Sequence, residues 1–180
     1  MKRLFVYISV MFLIFQLSAC SGDSEIAFVN QDYKTFSLAV PSDWRKITQE
    51  NFANTIPEET VAVFLKKIEG DDFIQNANVI KESINTDASS LEYAKANIVL
   101  ASKAIVDYRA ISSEESEIGG ISTVLHSFRA RNSAIDPIRL YVQSYFVQDR
   151  VGYTVTCISK EDDLLQQNTC NDIIRSFLFK

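Results

Sequence analysis

The chain of 180 residues is 47% hydrophobic and 23% charged, a composition that excludes fibrous and disordered proteins and suits one domain with its own core. Its formal net charge is −5, and loss of Lys2 and Arg3 with a leader would leave 16 basic against 23 acidic residues, or −7. Such an acidic body argues against nucleic acid as a partner and against electrostatic docking on anionic lipid.

Residues 1–19 run from a charged head through an apolar stretch to a site of small residues. Lys2 and Arg3 form a positive head, and Leu4–Phe15 is an apolar run that is short for a membrane span. The segment that follows, Leu17-Ser18-Ala19-Cys20, resembles the lipobox of bacterial lipoproteins. In signals of this kind the cysteine thiol receives lipid, and the peptidase cuts before that cysteine. We therefore predict lipidation at Cys20 and stable anchoring by several acyl chains.

Two alternatives to this anchor remain open, namely a plain secretory peptide with a coincidental cysteine and an uncleaved membrane helix. Ser21 stands where aspartate would signal inner-membrane retention in enterobacteria-like systems. In a Gram-negative host we therefore expect the outer membrane, with the protein facing the periplasm. Residues 20–30 are interpreted as a lipidated tether, and residues 31–180 as one globular domain, because no repeat or low-complexity run follows.

The first part of the domain is predicted to consist mainly of strands. Alternating apolar residues and turn residues give, in chain order, a strand at Lys34–Val40, a turn at Pro41-Ser42-Asp43, a short helix at Lys46–Ile56, and strands at Thr60–Ile68 and Asn78–Ile84.

A capping box predicts the start of the next helix at Ser89-Ser90-Leu91-Glu92, because the serine hydroxyl and the glutamate carboxylate can both bind free backbone N–H groups there. We expect the helix to run to about Val106. Its apolar residues recur at helical spacing and predict a buried stripe, formed by Leu91, Ala94, Ile98, Ala101 and Ile105.

Two consecutive hairpins are predicted next, which indicates an antiparallel sheet. Paired glycines, Gly119-Gly120, allow the tight turn of the first hairpin, and Asp149-Arg150 marks the second turn. The strands are Tyr108–Ile118 with Ile121–Arg131, then Arg139–Gln148 with Val151–Ile158.

The last helix is predicted to open at Ser159. Three acidic residues would lie in its first turn and complement the helix dipole: Glu161, Asp162 and Asp163. A calcium site is rejected there because neither the spacing of an EF-hand nor its glycine turn is present.

The two cysteines of the domain, Cys157 and Cys170, form an even pair if Cys20 carries lipid. Their spacing of 13 residues is not that of a CxxC motif, and no histidine accompanies them, which disfavours zinc and thioredoxin-like chemistry. We predict a disulfide between the final long strand and the terminal helix, with Cα atoms within about 7 Å. Two buried free thiols remain the alternative.

The segment Phe36–Trp44, with the sequence FSLAVPSDW, resembles the opening strand-Pro-Trp signature of PsbP-like and DcrB-like proteins. Matching pieces follow in order over nearly the whole mature chain: Asn78-Val79, the mid-chain helix, Ile118-Gly119-Gly120, Tyr153-Thr154-Val155-Thr156 and Ser176-Phe177. This resemblance implies an α+β fold, a single-domain three-layer α/β/α sandwich around a largely antiparallel sheet. It also implies an accessory or scaffold module, because relatives serve as photosystem subunits, exported lipoproteins, effector chaperones and transport cofactors.

The sequence predicts no catalytic, cofactor-binding or metal-binding residue. His126 is the single histidine and lies in a predicted strand, so a His-dependent triad or a multi-histidine metal site is excluded. No nucleophile elbow, P-loop or dinucleotide fingerprint is present. The remaining candidates are interpreted as solvated charge (Asp71, Asp72, Glu114, Glu115, Glu117) and as core aromatics rather than a groove lining (Trp44, Phe52, Tyr141, Tyr145).

The sequence thus predicts a protein that is not an enzyme and needs no cofactor. The leading hypothesis is a membrane-anchored envelope lipoprotein that acts as an accessory or protein-binding module, with an unidentified protein partner. A small-ligand or lipid carrier is the second hypothesis, and an envelope immunity or inhibitor lipoprotein is the third. A deep apolar pocket above roughly 300 Å³ would favour the carrier.

Overall fold

A computed structural model describes residues 26–48, 56–67, 70 and 72–180. These residues form ten strands and two helices. In chain order they are β1 (Phe28–Asp32), β2 (Phe36–Pro41), β3 (Arg45–Ile47), β4 (Thr60–Lys67), β5 (Ile74–Ser83), α1 (Ser90–Ala104), β6 (Val106–Ile118), β7 (Ile121–Arg131), β8 (Arg139–Gln148), β9 (Val151–Ser159), α2 (Leu164–Arg175) and β10 (Leu178–Phe179).

Seven strands form a large antiparallel sheet in the order β3-β4-β5-β9-β8-β7-β6, and β1-β2-β10 form a small antiparallel sheet. The two predicted hairpins, β6-β7 and β8-β9, are confirmed and lie side by side. The first turn places Gly119 at φ 57° and Gly120 at φ 78°, as paired glycines allow, whereas Asp149 and Arg150 take the same left-handed region at φ 53° and 59°.

The two helices cover opposite faces of the large sheet. Val142, Phe146 and Val155 lie on one face and belong to the main core with α2 and the small sheet. Val124 and Tyr145 lie on the other face and pack against α1. The predicted three-layer α+β architecture is therefore confirmed, and the small sheet adds to the α2 layer.

An aromatic cluster forms the centre of the α2 face. The ring of Phe177 stacks on Phe146 at 4.2 Å and on Phe36 at 5.3 Å between ring centroids, and it also contacts Tyr153 and Phe179. Phe36, Phe146 and Phe177 are at most 2% exposed. Because these rings come from β2, β8 and the chain end after α2, the cluster joins both ends of the domain to its central sheet.

The end of α2 is fixed to β2 by Ser176. Its Oγ accepts a hydrogen bond from the backbone N of Ala39 at 2.8 Å and donates to the carbonyl of Ile173 at 2.6 Å. Gly119 is needed nearby, since a Cβ at this position would lie 2.6 Å from the carbonyl oxygen of Phe177. The Gly-Gly turn and the Ser-Phe pair of the sequence resemblance thus meet in space.

On the opposite face, α1 begins with the predicted capping box. Ser89 accepts from the backbone N of Glu92 at 3.2 Å, and Glu92 Oε2 accepts from the backbone N of Ser89 at 2.8 Å. One turn on, the Tyr93 ring lies over Gly152, where a Cβ would come within 2.5 Å of the ring. Tyr93 Oη donates to Glu82 at 2.5 Å, and burial raises the pKa of this phenol.

Three predicted boundaries are wrong. The predicted helix at Lys46–Ile56 begins inside β3, and its residues 49–55 lie outside the described part of the chain. Residues 28–30, assigned to the tether, form the beginning of β1. The last helix begins after Asp163, which is its N-cap, so no acidic residue lies in its first turn. The pairing of the three-residue strand β3 and the capping of α2 by Asp163 determine where these elements lie. Neither feature leaves a long pattern in the sequence.

Candidate functional site

His126 lies in β7 with its side chain completely buried, as expected for a histidine of the sheet. Its Nδ1 is 2.8 Å from the carbonyl oxygen of Ser112, which can only accept, so Nδ1 carries the proton. Nε2 then accepts from the hydroxyl of Tyr108 at 2.7 Å. Burial lowers the pKa of His126 and favours this neutral ring. Ser113 Oγ, 2.6 Å from Nδ1, therefore faces a protonated nitrogen that cannot act as its base.

Cys157 and Cys170 are joined by a disulfide that links β9 to α2, with 5.3 Å between the Cα atoms. Both residues are completely buried in the main core, and the amide of Gln75 lies 3.9 Å from the sulfur of Cys170. Burial on all sides gives the bond a structural role rather than one in thiol exchange. Cys20, the predicted lipidation site, lies outside the described residues.

The aromatic residues considered for a groove do not share one. Trp44, Tyr141 and Tyr145 belong to three different core clusters, which agrees with their interpretation as core, and Phe52 lies outside the described residues. The carboxylates interpreted as solvated are exposed where they are described: Asp72, Glu114, Glu115 and Glu117. Asp71 is not among the described residues.

The candidate functional site is a cleft of about 440 Å³ between α2 and the outer half of the large sheet, called the α2 groove below. Apolar side chains of β7 and β8 form its floor, and polar side chains one helical turn apart on α2 form one wall. The lining residues named here are Leu125, Leu140 and Val142 on the floor, and Gln167, Asn171 and Arg175 on the wall.

Polar groups of the α2 groove are arranged around that floor. The hydroxyls of Ser112 and Ser127 are hydrogen-bonded at 2.8 Å, and Arg129 pairs with Glu161 at 3.0 Å. Arg175, the basic residue in the last turn of α2, is exposed, and within the part of the chain that the structure describes it forms no ion pair. The groove therefore offers hydroxyl, amide and guanidinium groups beside apolar surface.

This combination suits recognition of another molecule by shape and hydrogen bonds. The residues named for the α2 groove do not include a hydrogen-bonded nucleophile and base of the kind that acyl or glycosyl transfer requires. The groove could not be predicted from a local pattern, because its residues come from three strands, a helix and the segment before that helix. The available signal was the polar spacing of Gln167, Asn171 and Arg175 at every fourth position of the last helix.

Neither a metal centre nor a membrane-spanning helix is found among residues 26–48, 56–67, 70 and 72–180. Within those ranges no three His, Cys, Asp or Glu side chains converge as metal ligands. No helix in the same ranges is long and apolar enough to cross a membrane.

Comparison with known proteins gives matches at the level of structure. No protein-family model matches the chain, and no curated protein matches it. Cyanobacterial PsbP (CyanoP) from Synechocystis sp. PCC 6803 matches with a TM-score of 0.61 and 16% identity, over 91% of this chain and 99% of that one. LpqN of Mycobacterium tuberculosis, described as involved in cell envelope biogenesis, gives 0.57 and 14%, over 88% and 93%. PA94 of Pseudomonas aeruginosa, a protein of unknown function, gives 0.54 and 13%, over 78% and 88%.

At these identities the comparisons establish the fold. The chain has the PsbP-like α+β fold, with two helices and two antiparallel sheets, as the ordered sequence resemblance implied. Because one fold carries many functions, the role of this chain has to be argued from its own surface and sequence.

Proposed function

We propose that this protein is a lipid-anchored lipoprotein of the bacterial envelope that acts as a non-enzymatic accessory module and binds a partner protein in the α2 groove. The observation that carries the proposal is the combination of a lipobox at Cys20 with an open groove that has an apolar floor and polar walls. The envelope role of LpqN, which shares the fold, supports the same location.

A protein partner suits the α2 groove better than a small apolar ligand does. The volume of about 440 Å³ is large enough for a ligand, but four of the side chains that line it are charged: Glu114, Arg129, Glu161 and Arg175. A lipid carrier would need an apolar enclosure. A second cleft, beside Trp44 and Leu165, has only about 190 Å³. Exposed polar groups around an apolar centre are typical of protein interfaces.

A non-enzymatic role is supported by the state of the single histidine. His126 is buried and hydrogen-bonded through both ring nitrogens, so it has no free lone pair to offer a substrate. Purified protein should therefore lack hydrolase and redox turnover. A reproducible activity that a single Ser or carboxylate substitution eliminates would contradict this part of the proposal.

The anchor is tested by metabolic labelling with an alkyne fatty acid. Wild-type protein should take up the label and remain with the membrane fraction, whereas Cys20→Ser should lose both properties. Cys157→Ala with Cys170→Ala serves as the control, because it removes the other two cysteines and should keep the label. Unlabelled wild-type protein, or a labelled Cys20→Ser variant, would contradict the anchor.

The groove is tested by crosslinking in the native membrane. A photoreactive residue in place of Asn171 should give one discrete protein adduct, and the same residue in place of Ser102 on the exposed side of α1 should not. Arg175→Glu should weaken the adduct strongly. Lys103→Glu is the matched control, since Lys103 is likewise the basic residue in the last turn of its helix.

The crosslinking result also discriminates the carrier. If Asn171 gives no protein adduct, and a lipid or small molecule copurifies with the wild type but not with Arg175→Glu, the groove is a ligand site and the protein-binding proposal is wrong. If the photoreactive residue gives the same yield of protein adduct at positions 171 and 102, the groove is not a specific binding site.

A further inference from the structure

We propose that a second surface, on the other flank of α2, rests on the lipid bilayer. This surface, called the anchor-side patch, consists of Ile26, Phe28, Pro41, Leu164 and Leu165. The inference rests on the proposed anchor at Cys20 and adds to it the orientation of the domain on the membrane.

Three of the side chains in this patch are exposed apolar groups: Phe28, Leu164 and Leu165. Leu164 and Leu165, in the first turn of α2, are 69% and 65% exposed, although first turns commonly carry polar residues. Leu165 and Ile26 line the same cleft of about 190 Å³. Pro41, which is buried, also lines that cleft and pairs in register with Phe28, so the 36% exposed Phe28 lies beside the cleft.

The length of chain before the patch identifies the bilayer as its occupant. Ile26 lies six residues after Cys20, and six residues can span at most roughly 20 Å. A domain of this size is about 40 Å across, as its expected radius of gyration implies. If the amino-terminal cysteine carries the lipid, the side of the domain that holds Ile26 must therefore face the membrane, and the leucines beside it lie within reach of the lipid.

Apolar contact, rather than charge, is expected to hold the patch on the membrane. Of the acidic residues before α2, Glu161 pairs with Arg129 and Asp163 accepts hydrogen bonds from the backbone and side-chain amides of Gln166, whereas Asp162 is exposed. Exposed apolar side chains beside a lipid anchor gain from burial at the interface whatever the headgroup charge. We therefore expect docking on neutral lipid and little dependence on salt.

The experiment uses the full lipidated protein, purified from membranes and reconstituted into phosphatidylcholine vesicles in which part of the lipid is brominated. A tryptophan is introduced as Leu165→Trp in the patch. Leu100→Trp is the matched control, because Leu100 is 63% exposed and lies on α1, across the sheet. The fluorescence of Trp44, common to both variants, is subtracted using the parent protein.

Brominated lipid should quench the introduced fluorescence of Leu165→Trp at least twofold more than that of Leu100→Trp, at both low and high salt. Leu164→Trp should behave like Leu165→Trp, which guards against a local distortion at one position. Equal quenching of patch and control tryptophans would overturn the inference, as would quenching that high salt abolishes.

Flotation of the same vesicles separates the two proposals. Protein that does not float with the vesicles lacks the lipid anchor, and the proposed function fails. Protein that floats but shows equal quenching keeps its anchor, and only the docking of the patch fails. Circular dichroism of each variant checks that the fold is retained.

Discussion

The α2 face and the α1 face of the large sheet are held by different kinds of interaction. On the α2 face, stacked rings around Phe177 and a disulfide join α2 to the sheet. On the α1 face, the contacts centre on Tyr93 and Tyr145, and hydrogen bonds of the Tyr93 hydroxyl to Glu82 and Thr154 contribute. Much of the α1 stripe is only half-buried, with Ala94 alone fully enclosed.

This difference indicates how rigidity is distributed. Ring packing and a covalent link raise the free energy of local opening. A helix held by a few buried contacts and a cap opens at a lower free energy. We therefore expect α1 to separate from the sheet before α2 does. The α2 side also carries the α2 groove and the anchor-side patch, so both proposed contact surfaces are built on the helix that we expect to open last.

The largest effect is expected from Phe177→Ala. Its ring is 1% exposed and contacts four other aromatic rings, so its removal should lower the free energy of unfolding by about 4 kcal/mol. Denaturant titration measures the loss. Leu178→Ala, at the next position and 49% exposed, is the control and should change stability much less. Similar losses for both would mean that the ring cluster does not dominate the α2 face.

The disulfide gives the second prediction. Replacing both Cys157 and Cys170 with alanine should cost about 3 kcal/mol in the chain-entropy model for a loop of this size. Reduction of the wild type should give a loss of the same order. Thiol counting on denatured, oxidised protein should find neither cysteine free, and the detection of two free thiols would contradict the bond.

Gly152→Ala tests the α1 face and should cost about 2 kcal/mol, because the new methyl group would overlap the ring of Tyr93. The test is a double-mutant cycle. In a Tyr93→Ala background the same glycine substitution should cost little, since the overlapping ring is gone. An equal cost in both backgrounds would show that the backbone, rather than the tyrosine ring, requires glycine at this position.

Ser89→Ala should cost about 1 kcal/mol, since it removes the side-chain half of the capping box at α1. Hydrogen exchange should accelerate in the first turn of α1 and stay unchanged in α2. Ser102→Ala, an exposed serine late in the same helix, should leave both unchanged. Faster exchange in both helices of Ser89→Ala would mean that the two faces open together.

The smallest effect concerns His126, whose pKa burial lowers. Between that lowered pKa and the unfolded value near 6.5, the unfolded chain binds more protons than the native state, so stability falls as pH drops below about 6.5. The contribution is expected to stay below about 1 kcal/mol between pH 7.5 and 6. His126→Gln should remove this part of the pH dependence. If stability depends on pH in the same way in His126→Gln and in the wild type, other groups cause this dependence.

The strands of the large sheet other than β3 could be predicted because their patterns are local. The hairpins around Gly119-Gly120 and Asp149-Arg150, and the capping box at Ser89, depend on residues within a few positions of each other. The disulfide pairing followed from counting the cysteines once Cys20 was set aside. The ordered resemblance supplied the layer architecture, which local patterns alone do not determine.

The features that were missed depend on distant residues. β3 has three residues and exists through its pairing with β4, so no periodic pattern marks it. β10 is a two-residue strand beside β2. The α2 groove joins β6, β7 and β8 with α2, and none of its side chains is unusual in its own segment. Tertiary contact, rather than propensity, decides these features.

The pairing of β2 with both β1 and β10 has a consequence for the timing of folding during synthesis. Register pairs such as Phe36 with Phe179, and the ion pair of Asp32 with Lys180, join residues more than 140 positions apart. Contacts of such high sequence separation form slowly. The aromatic cluster cannot close until Phe177 and Phe179 have left the ribosome. Until then β2 lacks its β10 neighbour, and the small sheet is incomplete.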